Sequence, residues 1–262
     1  MITFEKWHGN GNDFMIINSL ESNLKIRKSF IKKNSNRNKG IGFDQLIHID
    51  LPSKSKHNFK IEFYNADGSK AKMCINGVRC AASYIWRNSL APKIPIKLGI
   101  GLYTIICSPN KKNYNISSTL VDRPKNLEIK KLVKDIDANI KDNYFLSNIG
   151  NNHLCIEKES INCFELEQLY NKLKKKLLKH EINLSIYEKD GNFLRIRTYE
   201  NGSGETLSCG SASLCVAAKE LNTEKKSIVI ESLGGKLKFQ LDNNAIFIKG
   251  TANFIFEGSV DE

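Results

Sequence analysis

A mixed α+β chain built from two related halves is the fold class this sequence predicts, on three observations. Short apolar stretches with period-two alternation recur along all 262 residues. Two cysteine-centred segments repeat. YNADGSKAKMCINGVRCAA (64–82) and YENGSGETLSCGSASLCVA (199–217) align at a constant offset of 135 residues, so that Tyr64 meets Tyr199, Cys74 meets Cys209, Cys80 meets Cys215 and Ala82 meets Ala217. A weaker echo lies upstream, where Gly11-Asn12-Asp13 matches Gly150-Asn151-Asn152 at an offset of 139.

The elements follow in order. Strands are expected at 2–7, 45–49 and 60–64, the last running into Asn-Ala-Asp-Gly, a turn sequence. A small-residue helix should start directly after Cys74 and run over 75–88. Strands at 94–97 and 103–107 close the first half, and the polar, lysine-rich stretch 108–142 is the expected seam. The first half is therefore placed at 1–118 and the second at 119–250. A strand at 154–157 leads to a helix at 164–179, where Leu166, Leu169, Tyr170, Leu173 and Leu177 recur at helical spacing. Another strand at 193–199 precedes a second helix after a cysteine, at 210–221. Strands at 227–231, 236–240, 245–249 and 254–257 finish the chain.

Composition excludes several classes. With 40% hydrophobic and 26% charged residues, the chain can bury a core and is not disordered. No uncharged apolar run approaches the ~18 residues of a membrane span, so no membrane partner is expected. The opening MITFEKWHGNGNDF lacks the basic and apolar regions of a signal peptide. An odd count of seven cysteines then reads as thiols in a reducing cytoplasm. The net charge of +12 invites a nucleic-acid partner. Its densest run, KLKKKLLKH (172–180), sits instead on the polar side of the 164–179 helix, so a solvated face is expected and nucleic acid is not.

A cysteine at a helix start is chemically favoured ground. The unpaired N–H groups and dipole there stabilise a thiolate and make an anion site. Amides at Ile75 and Asn76, and at Gly210 and Ser211, could grip a carboxylate and hold its α-carbon beside a sulfur. Two such sulfurs on opposite faces of one carbon could invert it, one removing the proton and the other returning one. Cys107, Cys155 and Cys163 read as buried small hydrophobes, with Cys80 and Cys215 facing the core. The six-residue spacing of the cysteine pairs misses the two to four intervening residues of zinc sites, and no metal is expected.

The ordered motifs HGNGNDF (8–14), GIGFDQ (40–45), YNADGS (64–69), CINGVRC (74–80), GNNH (150–153), YENGSGETLSCGS (199–211) and GTANFIFEG (250–258) resemble diaminopimelate epimerase along essentially the whole chain. The resemblance implies two pseudo-symmetric α/β domains, each a curved mixed sheet wrapped around a central helix, with a small amino-acid substrate in the cleft between them and a C-terminal strand, at about 251–262, returning to join the first half. It implies a cofactor-independent epimerase interconverting LL- and meso-diaminopimelate for lysine and cell-wall synthesis, and a homodimer. By position, Cys74 and Cys209 would be the acid/base thiols, with His153 and Glu200 beside them. Asn12, Asn65, Asn151 and Asn183 would bind the distal amino acid group.

Several positions depart from the family pattern. Ile75 replaces a glycine, Asn152 a proline and Ala212 a glycine. Asn201 stands where the family arginine meets the distal carboxylate; losing a charged hydrogen bond costs ~1.5–3 kcal/mol. Two alternatives stay open at this point: a racemase of the same fold for an amino acid lacking a distal carboxylate, and a catalytically decayed basic relative with a binding role.

Overall fold

In the computed structural model, residues 1–22, 24–110, 116–129, 133, 134, 136, 140–243 and 245–261 are described. The chain divides into two units, Met1–Val121 with Lys249–Glu262, and Asp122–Ile248. Each has the same architecture, a mixed sheet with a buried helix against it.

In the first unit Ile2–Gly9 (β1) pairs antiparallel with Asn12–Asn18 (β2) through a tight turn at Asn10-Gly11. Asn10 and Gly11 both take positive φ, 54° and 80°, which asparagine and glycine tolerate. The helix Lys28–Ser35 (α1) provides the crossover that a parallel strand requires. Gln45–Asp50 (β3) then lies parallel to β2. Phe59–Asn65 (β4) returns antiparallel to β3 and forms a hairpin with Lys70–Ala71 (β5). The helix Ile75–Arg87 (α2) follows, and Ile96–Ile100 (β6) re-enters parallel to β4. Tyr103–Pro109 (β7) is antiparallel to β6, and Ile116–Asp122 (β8) to β7.

The second unit repeats this path. Lys125–Asn126 (β9) flanks Tyr144–Asn148 (β10), which is antiparallel to Asn152–Glu157 (β11). The helix Leu166–Lys179 (α3) is the crossover to Ile182–Asp190 (β12), parallel to β11. Phe193–Glu200 (β13) is antiparallel to β12 and forms a hairpin with Gly204–Thr206 (β14). After Gly210–Glu220 (α4), Ser227–Ser232 (β15) runs parallel to β13, and Gly235–Asp242 (β16) is antiparallel to β15. Ala245–Thr251 (β17) leads to Asn253–Val260 (β18), which pairs antiparallel with β1.

The two helices that follow a cysteine are the central ones. Every residue of α2 from Ile75 to Trp86 is buried, as are Gly210 to Ala217 of α4. A helix buried all round needs small residues where backbones approach closely. At Gly77 a Cβ would come 2.6 Å from the Phe63 ring. The other two helices are surface elements. In α3, Leu166, Tyr170, Leu173 and Leu177 are buried, and Lys172, Lys174, Lys175 and Lys179 are exposed.

Eight described elements escape the sequence pattern: α1, the strands β2, β8, β10 and β12, and the two- and three-residue strands β5, β9 and β14. β2 (NDFMIIN) carries four consecutive buried residues, so it shows no alternation. β12 is read through for the same reason, with a run of five buried residues, and β10 is only five residues long with two of them buried. α1 is only eight residues long, with three buried and no side-chain cap. The strand expected at 94–97 starts instead at Ile96: Pro95 has no N–H to donate, and Ile94 is exposed. Cys163 is also exposed, in the turn before α3, contrary to its reading as a buried residue.

Candidate active site

The same local device places both cysteines. A strand ends in a glycine turn, a short hairpin strand follows, and the cysteine caps the buried helix. In the first unit the Gly68 amide donates to the Asn65 carbonyl at 2.8 Å, and Gly68 has φ 77°. In the second, Ser203 N–H donates to the Glu200 carbonyl at 3.1 Å, and Gly202 has φ 83°. Cys74 and Cys209 are the N-caps of α2 and α4, both with extended backbones.

Around Cys74, the Gly77 amide donates to Sγ at 3.4 Å, and Asn12 Oδ1 lies 3.5 Å from Sγ. The helical ladder begins at Val78 N–H to Cys74 C=O, 2.9 Å, so the Ile75 and Asn76 amides lie ahead of it. Ile75 places its extra side chain in the core, at 1% exposure. Asn12 Nδ2 donates to Asp44 at 2.8 Å; Asn65 accepts from Gln45 at 2.9 Å and donates to Ser69 at 3.1 Å. Asn12 and Asn65 begin and end strands joined by the ladder row Phe14, Gln45, Asn65.

Cys209 is 6% exposed. Burial, then the charge of Glu200, push its thiol well above the ordinary value; the Ser211 hydroxyl 3.4 Å away and the Ala212 amide pull weakly the other way. The expectation that the helix dipole makes a thiolate therefore fails at this sulfur, because desolvation of an anion outweighs a partial charge. Glu200 itself accepts from Thr206 at 2.7 Å. His153 is fully buried on β11, neither ring nitrogen has a hydrogen-bond partner, and burial alone pulls it down to about 4. It is a neutral imidazole with both nitrogens unsatisfied. In the parallel ladder it stands beside Asn183. Asn151 occupies the turn before β11, and Gly210 and Ser211 open α4.

Asn201 is anchored within its own unit. Its Oδ1 accepts from the Tyr170 hydroxyl at 2.9 Å, its Nδ2 donates to the Ile182 carbonyl at 3.0 Å, and its backbone N–H donates to Asn183 Oδ1 at 3.1 Å. Tyr170 in turn stacks on Tyr199 with ring centroids 4.0 Å apart.

Sequence reasoning missed Arg79, fully buried in α2, and the carboxylate pair Asp13 and Asp44. Asp13 is raised by burial but more strongly lowered by Arg37, Lys6 and the Asp44 amide, and is held at about 2. Arg37 bridges both acids, at 2.9 and 2.7 Å, and Lys6 lies 2.6 Å from Asp13. The motifs HGNGNDF and GIGFDQ, which contain the two acids, were the available signal. Among the described residues there is no cluster of three or more metal-ligating side chains.

Residues 4–121 and 145–255 match the family model described as diaminopimelate epimerase. The chain is 34% identical to the diaminopimelate epimerase of Wigglesworthia glossinidia brevipalpis, covering 98% of this chain and 99% of that one. It is 31% identical to that of Methanocella arvoryzae, covering 99% and 97%. Among solved structures, a hydroxyproline epimerase from Agrobacterium vitis shares the fold with a TM-score of 0.71 at 11% identity, covering 99% of this chain and 90% of that one.

Proposed function

The chain belongs to the diaminopimelate epimerase family, and from that membership we propose that Cys74 and Cys209 are the acid–base pair that inverts its substrate's α-carbon. The protein is an isomerase of the amino-acid epimerase type, acting on diaminopimelate in lysine biosynthesis. One observation carries the assignment of the pair: two cysteines, alone among the seven, cap the two central helices.

In the direction where Cys74 is base, its thiolate takes the α-proton and becomes a thiol. The electron pair of the broken C–H bond moves into the carboxylate. The Cys209 thiol then protonates the opposite face and is left as the thiolate, so the two sulfurs exchange protonation states in each turnover. Burial and Glu200 keep Cys209 protonated at rest, which is the starting state this direction requires of it. General acid–base catalysis gives roughly 10²–10⁴, so the amides of Ile75, Asn76, Gly210 and Ser211 must also stabilise the charge building on the carboxylate. Neutral His153 and anionic Glu200 would receive the reacting ammonium group. Asn12, Asn65, Asn151 and Asn183 would bind the distal end. Asn201 has one Nδ2 hydrogen left for the distal carboxylate, where a guanidinium would offer a charge and two bonds. A cytoplasmic homodimer completes the proposal.

The test is proton exchange at Cα in heavy water, followed by NMR. Diaminopimelate should exchange and epimerise with the intact protein. Cys74→Ala and Cys209→Ala should each lose about 10³-fold or more, within the range set by general catalysis. Full epimerisation by either variant would overturn the pair, and exchange on proline or lysine but not diaminopimelate would overturn the substrate.

A further inference from the structure

The internal repeat is a built-in comparison of the two sulfurs, and two of the five positions at which its charge differs concern a buried arginine and the glutamate beside Cys209. At the offset that superimposes Cys74 on Cys209, Arg79 meets Leu214 and Asn65 meets Glu200. The first half therefore has a cation where the second has a hydrocarbon. The second has an anion where the first has an amide.

Among the described residues Arg79 is the largest fully buried side chain, at 0% exposure. Its guanidinium turns back along α2 towards the helix start. Nη1 donates to the Ile75 carbonyl at 3.2 Å. Nη2 donates to Asn76 Oδ1 at 2.7 Å and to Asn10 Oδ1 at 3.1 Å, and Nε donates to the Thr251 carbonyl at 3.4 Å. All four acceptors are neutral, and among the described residues no carboxylate forms an ion pair with it. The β1 backbone closes over this nest at Gly9, where a Cβ would lie 3.3 Å from the Asn76 carbonyl and 3.4 Å from both Arg79 Nη2 and Cys80 Sγ.

A buried cation without an anion is costly, and arginine does not shed its proton to escape the cost. The ionisable groups whose charges bear on it are Cys74 and Cys80 of α2 and Cys107 of β7. Burial pushes Cys107 up to about 12 and Cys80 higher still, so both stay neutral. The other strands against α2 supply no balancing charge: Glu5 of β1 bonds Trp7 and Asn88, Asp13 of β2 pairs with Lys6 and Arg37, and His48 of β3 contacts Ser19 and Glu62. Half-buried Cys74 is the one ionisable sulfur among these that solvent reaches.

We propose that Arg79 is a positioning residue for the reaction: it fixes Asn76 in the first turn of α2 and supplies the buried positive charge that holds Cys74 as the thiolate in the resting enzyme. The role rests on the acid–base assignment made above for its catalytic meaning. Its electrostatic content stands on the resting protein alone. Glu200 beside Cys209 works in the opposite sense, so the duplicated scaffold stores one thiolate and one thiol.

The experiment is alkylation by iodoacetamide across pH, read peptide by peptide by mass spectrometry without substrate. Exposed Cys163 is the internal reference. Cys74 should reach half its maximal rate at least one pH unit below Cys163, about a tenfold difference in thiolate at neutral pH. Arg79→Met should move the Cys74 inflection upward by at least that unit and leave Cys163 unmoved. Arg79→Lys should keep most of the shift while lowering kcat, because the charge survives and the fork to Asn76 and Asn10 does not. Coincident Cys74 and Cys163 inflections in the unmodified protein would overturn the proposal, and this needs no variant to fold. An unmoved inflection in folded Arg79→Met would do the same. A protein with the expected profiles and no Cα exchange would sink the epimerase pair and leave this electrostatic role intact.

Discussion

At the scale of single residues, solvation decides chemistry that residue type leaves open. Cys74 and Cys209 occupy matching caps, yet Cys209 keeps its proton because burial and Glu200 both oppose the anion. His153 gives a measurable consequence. Its ordinary value of 6.5 falls to about 4 in the folded state, so between those values the unfolded chain binds more protons. Its contribution is whole above pH 6.5 and is lost as pH falls towards 4, amounting to about 3 kcal/mol. Urea midpoints of the protein and of His153→Gln should diverge in slope within that window; parallel curves would refute a buried neutral imidazole. Asn201→Arg tests the other departure. It removes the bonds to Tyr170 and Ile182, and should lower stability by about 1–3 kcal/mol while tightening KM for diaminopimelate. A weaker KM would show that the side chain does not face the distal carboxylate.

Elements show where burial outranks composition. The lysine-rich stretch of α3 is the polar side of an amphipathic helix whose other side packs on the second unit's core through Leu173 and Leu177. Leu173→Ala should cost about 2–5 kcal/mol in chemical unfolding, whereas Lys175→Ala should stay within about 0.5 kcal/mol. Equal effects would contradict the assigned faces. In α2 the constraint is steric. Gly77→Ala would drive a methyl group against the Phe63 ring and tilt the turn that carries Cys74, so both thermal stability and kcat should drop. The long surface helix α3 and the alternating strands are legible because one face meets water. β2 and β12 are not, because burial on both faces erases the period that marks a strand.

On the scale of the whole molecule, duplication explains the order of elements and the chain's last strand breaks it. β18 returns to β1, with Trp7 packed edge-on against Phe254 and Phe4 against Phe256. Both tryptophans, Trp7 and Trp86, belong to the first unit, so their fluorescence reports on it selectively. Deleting 253–262 should lower the unfolding midpoint seen by tryptophan emission, because β1 loses its ladder and its aromatic partners. An unchanged midpoint would mean that β18 adds nothing to that unit. The repeated motifs, the two capping cysteines and the family are written in the residues themselves, since turn glycines, helix starts and hydrophobic periods are local. Which sulfur keeps its proton, what engages Asn201, and the unaccompanied cation at Arg79 belong to the folded state alone. Each depends on desolvation and on partners supplied by distant strands and helices, and no neighbour in the sequence reports those.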